Sequence, residues 1–226
     1  MVSESRVSSN LKEIKEQIES VRQTGLISSE KVCLVAVSKT KPVEAVIEAY
    51  DADQRVFGEN KVQEAQAKFL DLRAKKNDIE LHLIGPLQSN KAKEAVQTFD
   101  VIQTLDRSKL VIALSKEMKK QDRVLEFYVQ VNTGEEPQKA GVLPSDLSDL
   151  LKLCQSEKLN VTGLMCIPPV DEEPSLHFSF LAKLAKENGL PKLSMGMSSD
   201  YELAVRFGAT HVRIGSSIFG ARNYPA

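Results

Sequence analysis

The chain has 226 residues, 42% of them hydrophobic and 27% charged, with a formal net charge of -1. That length suits one large α/β domain spanning 1–226 and is short for two. The even charge balance gives no electrostatic footprint for nucleic acid or a membrane surface, and no apolar run has the length of a bilayer span, so a soluble, cytoplasmic protein is expected.

The first nine residues, which include Ser3, Glu4, Ser5 and Arg6 rather than the apolar core of a signal peptide, are expected to be flexible. Asn10-Leu11-Lys12-Glu13 has the form of a capping box, and Leu11, Ile14, Ile18 and Val21 follow at helical spacing until Gly25. An amphipathic opening helix is predicted. Eight short apolar runs then alternate with helical patterns, at 32–39, 55–59, 80–84, 100–105, 125–132, 160–167, 192–197 and 211–215. Between them Pro42 starts a helix bearing Val43, Val46, Ile47 and Tyr50, and Pro144-Ser145-Asp146 starts another. Pro174 and Gly189 bracket a third, and Gly208 closes a short one over Tyr201 to Phe207. Cys33, Cys154 and Cys166 lie in apolar stretches without a C-x-x-C pair, the pattern of reduced core cysteines.

Repeated strand–helix units require parallel strands joined by right-handed crossovers, and eight of them fit a closed TIM (β/α)8 barrel better than an open sheet. Neither a Gly-x-Gly-x-x-Gly fingerprint nor a Walker loop is present to favour a nucleotide-binding sheet. In such a barrel the chemistry sits at the C-terminal ends of the strands. Lys39, Glu59-Asn60, Gly85, Asn132-Thr133, Met197-Ser198 and Gly215-Ser216 fall there.

Alternation along the first strand turns Cys33, Val35, Val37 and Lys39 inward together, with Leu34 and Ala36 facing helices. A lysine in such apolar surroundings loses part of its preference for the charged form and becomes a candidate nucleophile, although a solvated strand end is the plainer reading. Lys41 is expected to be solvated. On the last strand the same alternation turns His211, Arg213 and Gly215 inward. A buried arginine needs acceptors, and Glu59 is one candidate partner. His211 and His82 read as hydrogen-bonded interior histidines, His177 as exposed, and no histidine pair has metal-ligand spacing. Leu193 to Asp200 supplies hydroxyls and N–H donors beside the Gly215 turn, where Ser198 or Ser199 could instead cap the next helix. An amine and a phosphate cradle together point to pyridoxal phosphate.

Ala36-Val37-Ser38-Lys39-Thr40, Phe57 to Ala65, His82 to Lys91, Leu193 to Asp200 and Val212 to Arg222, taken in order, resemble the pyridoxal phosphate homeostasis proteins, single-domain relatives of the alanine racemase barrel. The resemblance covers the chain from Asn10 onward. It implies pyridoxal phosphate held as a Schiff base on Lys39, phosphate contacts from Ser198 or Ser199 with Gly215 and Ser216, Arg213 against the pyridine nitrogen, and Asn60 near the ring. Many relatives carry an aromatic residue where this chain has Lys61. The implied function is binding and managing the cofactor, with cofactor-requiring apoenzymes as partners and a monomeric state. An amino-acid racemase is the alternative, and a cofactor-free lysine-imine enzyme is a third reading by fold analogy alone.

Overall fold

A computed structural model of the chain describes residues 5–24 and 31–221. Its eight strands close into a parallel barrel in sequence order. They are β1 (Cys33–Val37), β2 (Val56–Glu59), β3 (Glu80–Leu83), β4 (Val101–Leu105), β5 (Glu126–Gln130), β6 (Asn160–Met165), β7 (Lys192–Ser194) and β8 (His211–Ile214). The last strand closes on the first through Cys33 opposite His211 and Val35 opposite Arg213.

The helices alternate with the strands as predicted through α8, and a short α9 stands where a turn was expected: α1 (Arg6–Thr24), α2 (Val43–Asp51), α3 (Val62–Lys75), α4 (Ala92–Thr98), α5 (Ser108–Gln121), α6 (Leu147–Ser156), α7 (Pro174–Glu187), α8 (Tyr201–Arg206) and α9 (Ser216–Phe219). Outward residues such as Leu34, Phe57, Leu81, Phe127 and Val212 join them in one buried apolar shell. Each such Leu, Val or Phe contributes about 1.5–3 kcal/mol by leaving water. The barrel interior is different. Val101, Tyr128 and Met165 form a small apolar cluster there, and His82, Gln103, Ser194 and Arg213 are buried polar residues.

The opening helix buries Leu11, Ile14, Ile18 and Val21 as its spacing requires. Its start differs from the capping-box reading. The helix begins at Arg6, within the stretch expected to be flexible, because Ser5 is the cap: its hydroxyl accepts the Ser8 N–H at 3.2 Å. Asn10 lies a turn inside, and its side-chain amide donates to the Ile218 carbonyl at 2.9 Å, tying α1 to α9. Residues 1–4 and Gly25 lie outside the described residues. Among the described residues no helix is long and apolar enough to cross a membrane.

Candidate functional site

The first strand ends at Val37, so Lys39 sits in the turn that follows rather than on the strand itself. Lys41 N–H closes that turn on the Ser38 carbonyl at 3.1 Å. Thr40 holds φ 62°, a left-handed conformation that a β-branched residue adopts only under constraint. The Lys39 side chain lines a cavity of about 330 Å³ at the C-terminal mouth of the barrel. All seven residues singled out from the sequence, Lys39, Asn60, Ser198, Ser199, Arg213, Gly215 and Ser216, line this one cavity. Val37, Lys41, Ile84, Ile167, Met197 and Gly220 complete it.

Asn60 follows β2 and is held from behind by Gly85. A Cβ at Gly85 would stand 2.4 Å from the Asn60 carbonyl oxygen and 2.8 Å from its Cβ, so only glycine lets the two loops touch. Across the cavity, Ser198 Oγ accepts the Gly215 N–H at 3.3 Å, linking the loops after β7 and β8. Neither Ser198 nor Ser199 caps α8. Asp200 occupies the cap position and its carboxylate accepts the Met197 N–H at 2.6 Å, which leaves the serines at the cavity wall. At Gly215 a Cβ would stand 3.1 Å from the Val37 carbonyl oxygen, so this glycine lets the turn lie against β1.

Lys41 is not simply solvated. Its ammonium donates to the carbonyls of Phe219, Gly220 and Ala221 at 3.0, 3.0 and 2.8 Å, bracing the end of α9.

Arg213 is buried, and Glu59 is not its partner. Gly58 is the inward residue of β2, since a Cβ there would meet Val35 Cγ1 at 2.9 Å, so Glu59 points outward to α3. There its Oε1 accepts from Ser38 Oγ at 2.7 Å and Lys68 Nζ at 2.8 Å. Burial pushes the Glu59 carboxyl up against the pull of Lys68. Lys68 also donates to the Ser38 carbonyl at 2.8 Å, so this cluster anchors the residue preceding Lys39. Arg213 instead donates to Ser194 Oγ at 2.7 Å and to the Cys166 carbonyl at 2.9 Å. Burial lowers the guanidinium's pKa, yet an arginine's ordinary value is so high that it stays a cation.

The interior histidines are as expected. His82 bonds Gln103 and Glu80, and His211 lies 3.2 Å from the Tyr128 hydroxyl. His177 is buried rather than exposed, because it turns off α7 to meet Thr133 Oγ1 at 3.0 Å and Glu172 Oε2 at 3.1 Å. Among the described residues no cluster of ligands could hold a metal ion. All three cysteines are free, with burial pushing each thiol up to about 12.

Gln103 and Ser194 escaped the sequence reading. Ser194 could have been found by alternation, since Met195 beside it packs in the outer shell. So could Gln103, since Val101 two residues before it packs in the interior and Ile102 between them packs in the outer shell.

The chain matches the family described as alanine racemase, N-terminal domain, over residues 9–223. It is 42% identical to the pyridoxal phosphate homeostasis protein of Vibrio alginolyticus, over 97% of this chain and 99% of that one. The protein of the same name from Escherichia coli K12 is 36% identical over 96% and 97%. Among solved structures, PipY of Synechococcus elongatus PCC7942 with pyridoxal phosphate bound is 40% identical and superposes with a TM-score of 0.79, covering 92% of this chain and all of that one. Alanine racemase of Clostridium difficile 630 shares the fold at a TM-score of 0.72 and 13% identity, over 98% of this chain and 57% of that one.

Proposed function

The chain belongs to the pyridoxal phosphate homeostasis proteins of the alanine racemase N-terminal-domain family, and on that premise we propose that it binds, holds and releases pyridoxal phosphate without turning over a substrate of its own. The observation that carries the reading is the convergence of an amine, a buried guanidinium and three serine hydroxyls on one small cavity. That donor set fits the cofactor. Its aldehyde supplies the reactive carbon when bound. Lys39 provides the nucleophilic amine from a turn whose backbone is braced by Ser38 and Lys68. Ser198, Ser199 and Ser216 would offer hydroxyls to the cofactor's phosphate beside the Gly215 turn, Arg213 would donate to its ring nitrogen, and Asn60 would contact the ring. Arg213 can only donate, so it would leave that nitrogen unprotonated and make the ring a weaker electron sink.

The racemase alternative needs a second base facing the substrate. Tyr50 is committed to Asp78 at 2.6 Å on the outer surface, and Tyr128 lies in the barrel interior, where burial raises its pKa further. Tyr201 begins α8, and among the described residues no tyrosine lines the cavity. Tyr224 lies outside the described residues. A cofactor carrier of this kind would act as a cytoplasmic monomer and hand its load to apoenzymes that need it.

The deciding experiment is borohydride reduction of the cofactor-loaded protein followed by peptide mass mapping. One pyridoxyl group on Lys39 is expected. The racemase reading returns if the loaded protein exchanges the α-hydrogen of a single-enantiomer amino acid for deuterium, with inversion, at enzyme-like rates.

A further inference from the structure

Five side chains join the floor of the barrel to the cavity in one unbroken line. Arg213 Nη1 donates to Ser194 Oγ at 2.7 Å, and Ser194 Oγ donates to Gln103 Oε1 at 2.6 Å. Gln103 Nε2 lies 2.7 Å from His82 Nδ1, and His82 Nε2 lies 2.6 Å from Glu80 Oε1. The line crosses β8, β7, β4 and β3. Its first four members are buried, and Glu80 is half exposed at the N-terminal end of β3, opposite the cavity.

Both ends impose the same polarity. Arg213 has no acceptor, so Ser194 must accept from it. At the far end the hydrogen bond from His82 holds the Glu80 carboxyl below its usual range, so it is an anion that only accepts. His82 Nε2 faces that anion and donates to it, and the Gln103 amide N–H, facing Nδ1, donates to the ring. The Gln103 oxygen is then left to accept the Ser194 hydroxyl. Every donor points from the cation to the anion, an alignment in which each bond polarises the next. A barrel interior is filled more simply by apolar layers, and each polar group buried unsatisfied would cost about 1–3 kcal/mol.

We infer that Ser194, Gln103 and His82 are positioning residues for Arg213, fixing the plane of its guanidinium at the cavity and coupling its charge to the Glu80 carboxylate at the other end of the barrel. The second arm, from Nη2 to the Cys166 carbonyl, completes the fixation. The inference rests on the reading that the cavity receives pyridoxal phosphate, since it assigns these residues a part in how the ring is met. The line itself exists without the cofactor, so the two can be tested apart.

Two variants separate geometry from charge. Gln103→Met keeps the volume and cuts the line, whereas Glu80→Gln keeps an acceptor for His82 and removes the anion at an exposed position where folding is not at risk. The first measurement is 15N NMR of the cofactor-free protein, following the Arg213 guanidinium N–H signals. These are expected to move in both variants. Signals that stay in place in Glu80→Gln overturn the coupling, and signals that stay in place in Gln103→Met overturn the positioning. The second is titration with pyridoxal phosphate. Gln103→Met is expected to shift the absorbance maximum of the bound cofactor and weaken binding about threefold to tenfold, the scale of one hydrogen bond, with Lys39 still the modified residue. A lower Tm with an unmoved band and affinity would reduce the line to structural support and overturn the inference. If the wild type takes up no pyridoxal phosphate, the cavity reading fails, and the NMR result alone decides the line.

Discussion

At the N-terminal mouth of the barrel, Glu126 accepts from Lys192 and Thr162, both at 2.7 Å, and His211 bonds both the Tyr128 hydroxyl and the Thr210 hydroxyl. At the C-terminal mouth, by contrast, Lys39, Ser198, Ser199, Ser216 and Arg213 come from three different strand ends and converge on a cavity. Polar residues are abundant at both mouths, so polarity alone does not mark a site. What separates them is where the groups are directed. The groups around Glu126 and His211 close their hydrogen bonds locally and serve stability, whereas the C-terminal mouth directs an amine, hydroxyls and a cation toward one volume and serves binding.

The sharpest way to break this contrast is Lys39→Ala. Covalent capture of pyridoxal phosphate is expected to vanish, while the Tm stays near wild type because the side chain belongs to a turn and fills no core. Mass mapping that finds the pyridoxyl group on Lys41 or Lys91 in the wild type would move the anchor elsewhere. Lys41 is a pointed control, since its ammonium is occupied by three carbonyls.

The next effect is Gly215→Val. Its Cβ would stand 3.1 Å from the Val37 oxygen, tighter than an ordinary contact, so the branched side chain is expected to push the turn carrying Ser216 off β1. Affinity for pyridoxal phosphate is expected to fall about tenfold to a hundredfold, the value of one or two charge-assisted hydrogen bonds. Affinity for pyridoxal should change far less. A wild type that binds the two equally would remove the phosphate from the site.

How much of this could be read without the structure follows from which signals are local. The eight strands were legible because buried parallel strands write themselves as short apolar runs between helical patterns. Lys39, Arg213 and the serines were legible because a strand end in a barrel fixes which mouth a residue serves. The Arg213–Glu59 pairing was not, since it depends on which face Glu59 takes, and Gly58, one residue earlier, decides that by its close approach to Val35. The burial of His177 depends on Thr133, 44 positions away, and no periodicity carries such a contact.

A smaller effect belongs to the floor. Burial lowers the His211 pKa from 6.5 to about 3. The unfolded chain therefore takes up this proton near pH 6.5 while the folded chain refuses it until about pH 3, so His211 makes the fold lose stability as pH falls through that window. One proton corresponds to a slope of about 1.4 kcal/mol per pH unit. Glu80 and Glu126, whose values are lowered, lose their contribution only as the pH passes below the ordinary 4.5. Glu59, whose carboxyl burial raises, takes up its proton earlier in the folded chain and offsets part of this fall, so His211 is isolated only by the difference between variant and wild type. Urea unfolding at pH 7, 6 and 5 should show a flatter fall for His211→Gln than for wild type. Parallel curves would place the proton elsewhere.

The smallest effect tests whether the opening helix belongs to the mouth or merely covers the barrel. Asn10 reads as a helix cap by its sequence, but Ser5 holds that position and Asn10 reaches from α1 to the Ile218 carbonyl of α9. Since α9 starts immediately after Gly215, this bond steadies the element that carries Ser216. Asn10→Ala is expected to cost about 1 kcal/mol, one net hydrogen bond, or a Tm drop of about 2–4 °C for a chain of this size. Ser5→Ala should cost a similar amount by loss of a cap. The two variants differ in what else they disturb: only Asn10→Ala should also weaken pyridoxal phosphate binding, by a small factor, because only it loosens α9. Equal affinities in the two would make α1 a plain cover, and a weakened Ser5→Ala would mean that the whole helix, not one side chain, braces the cavity wall.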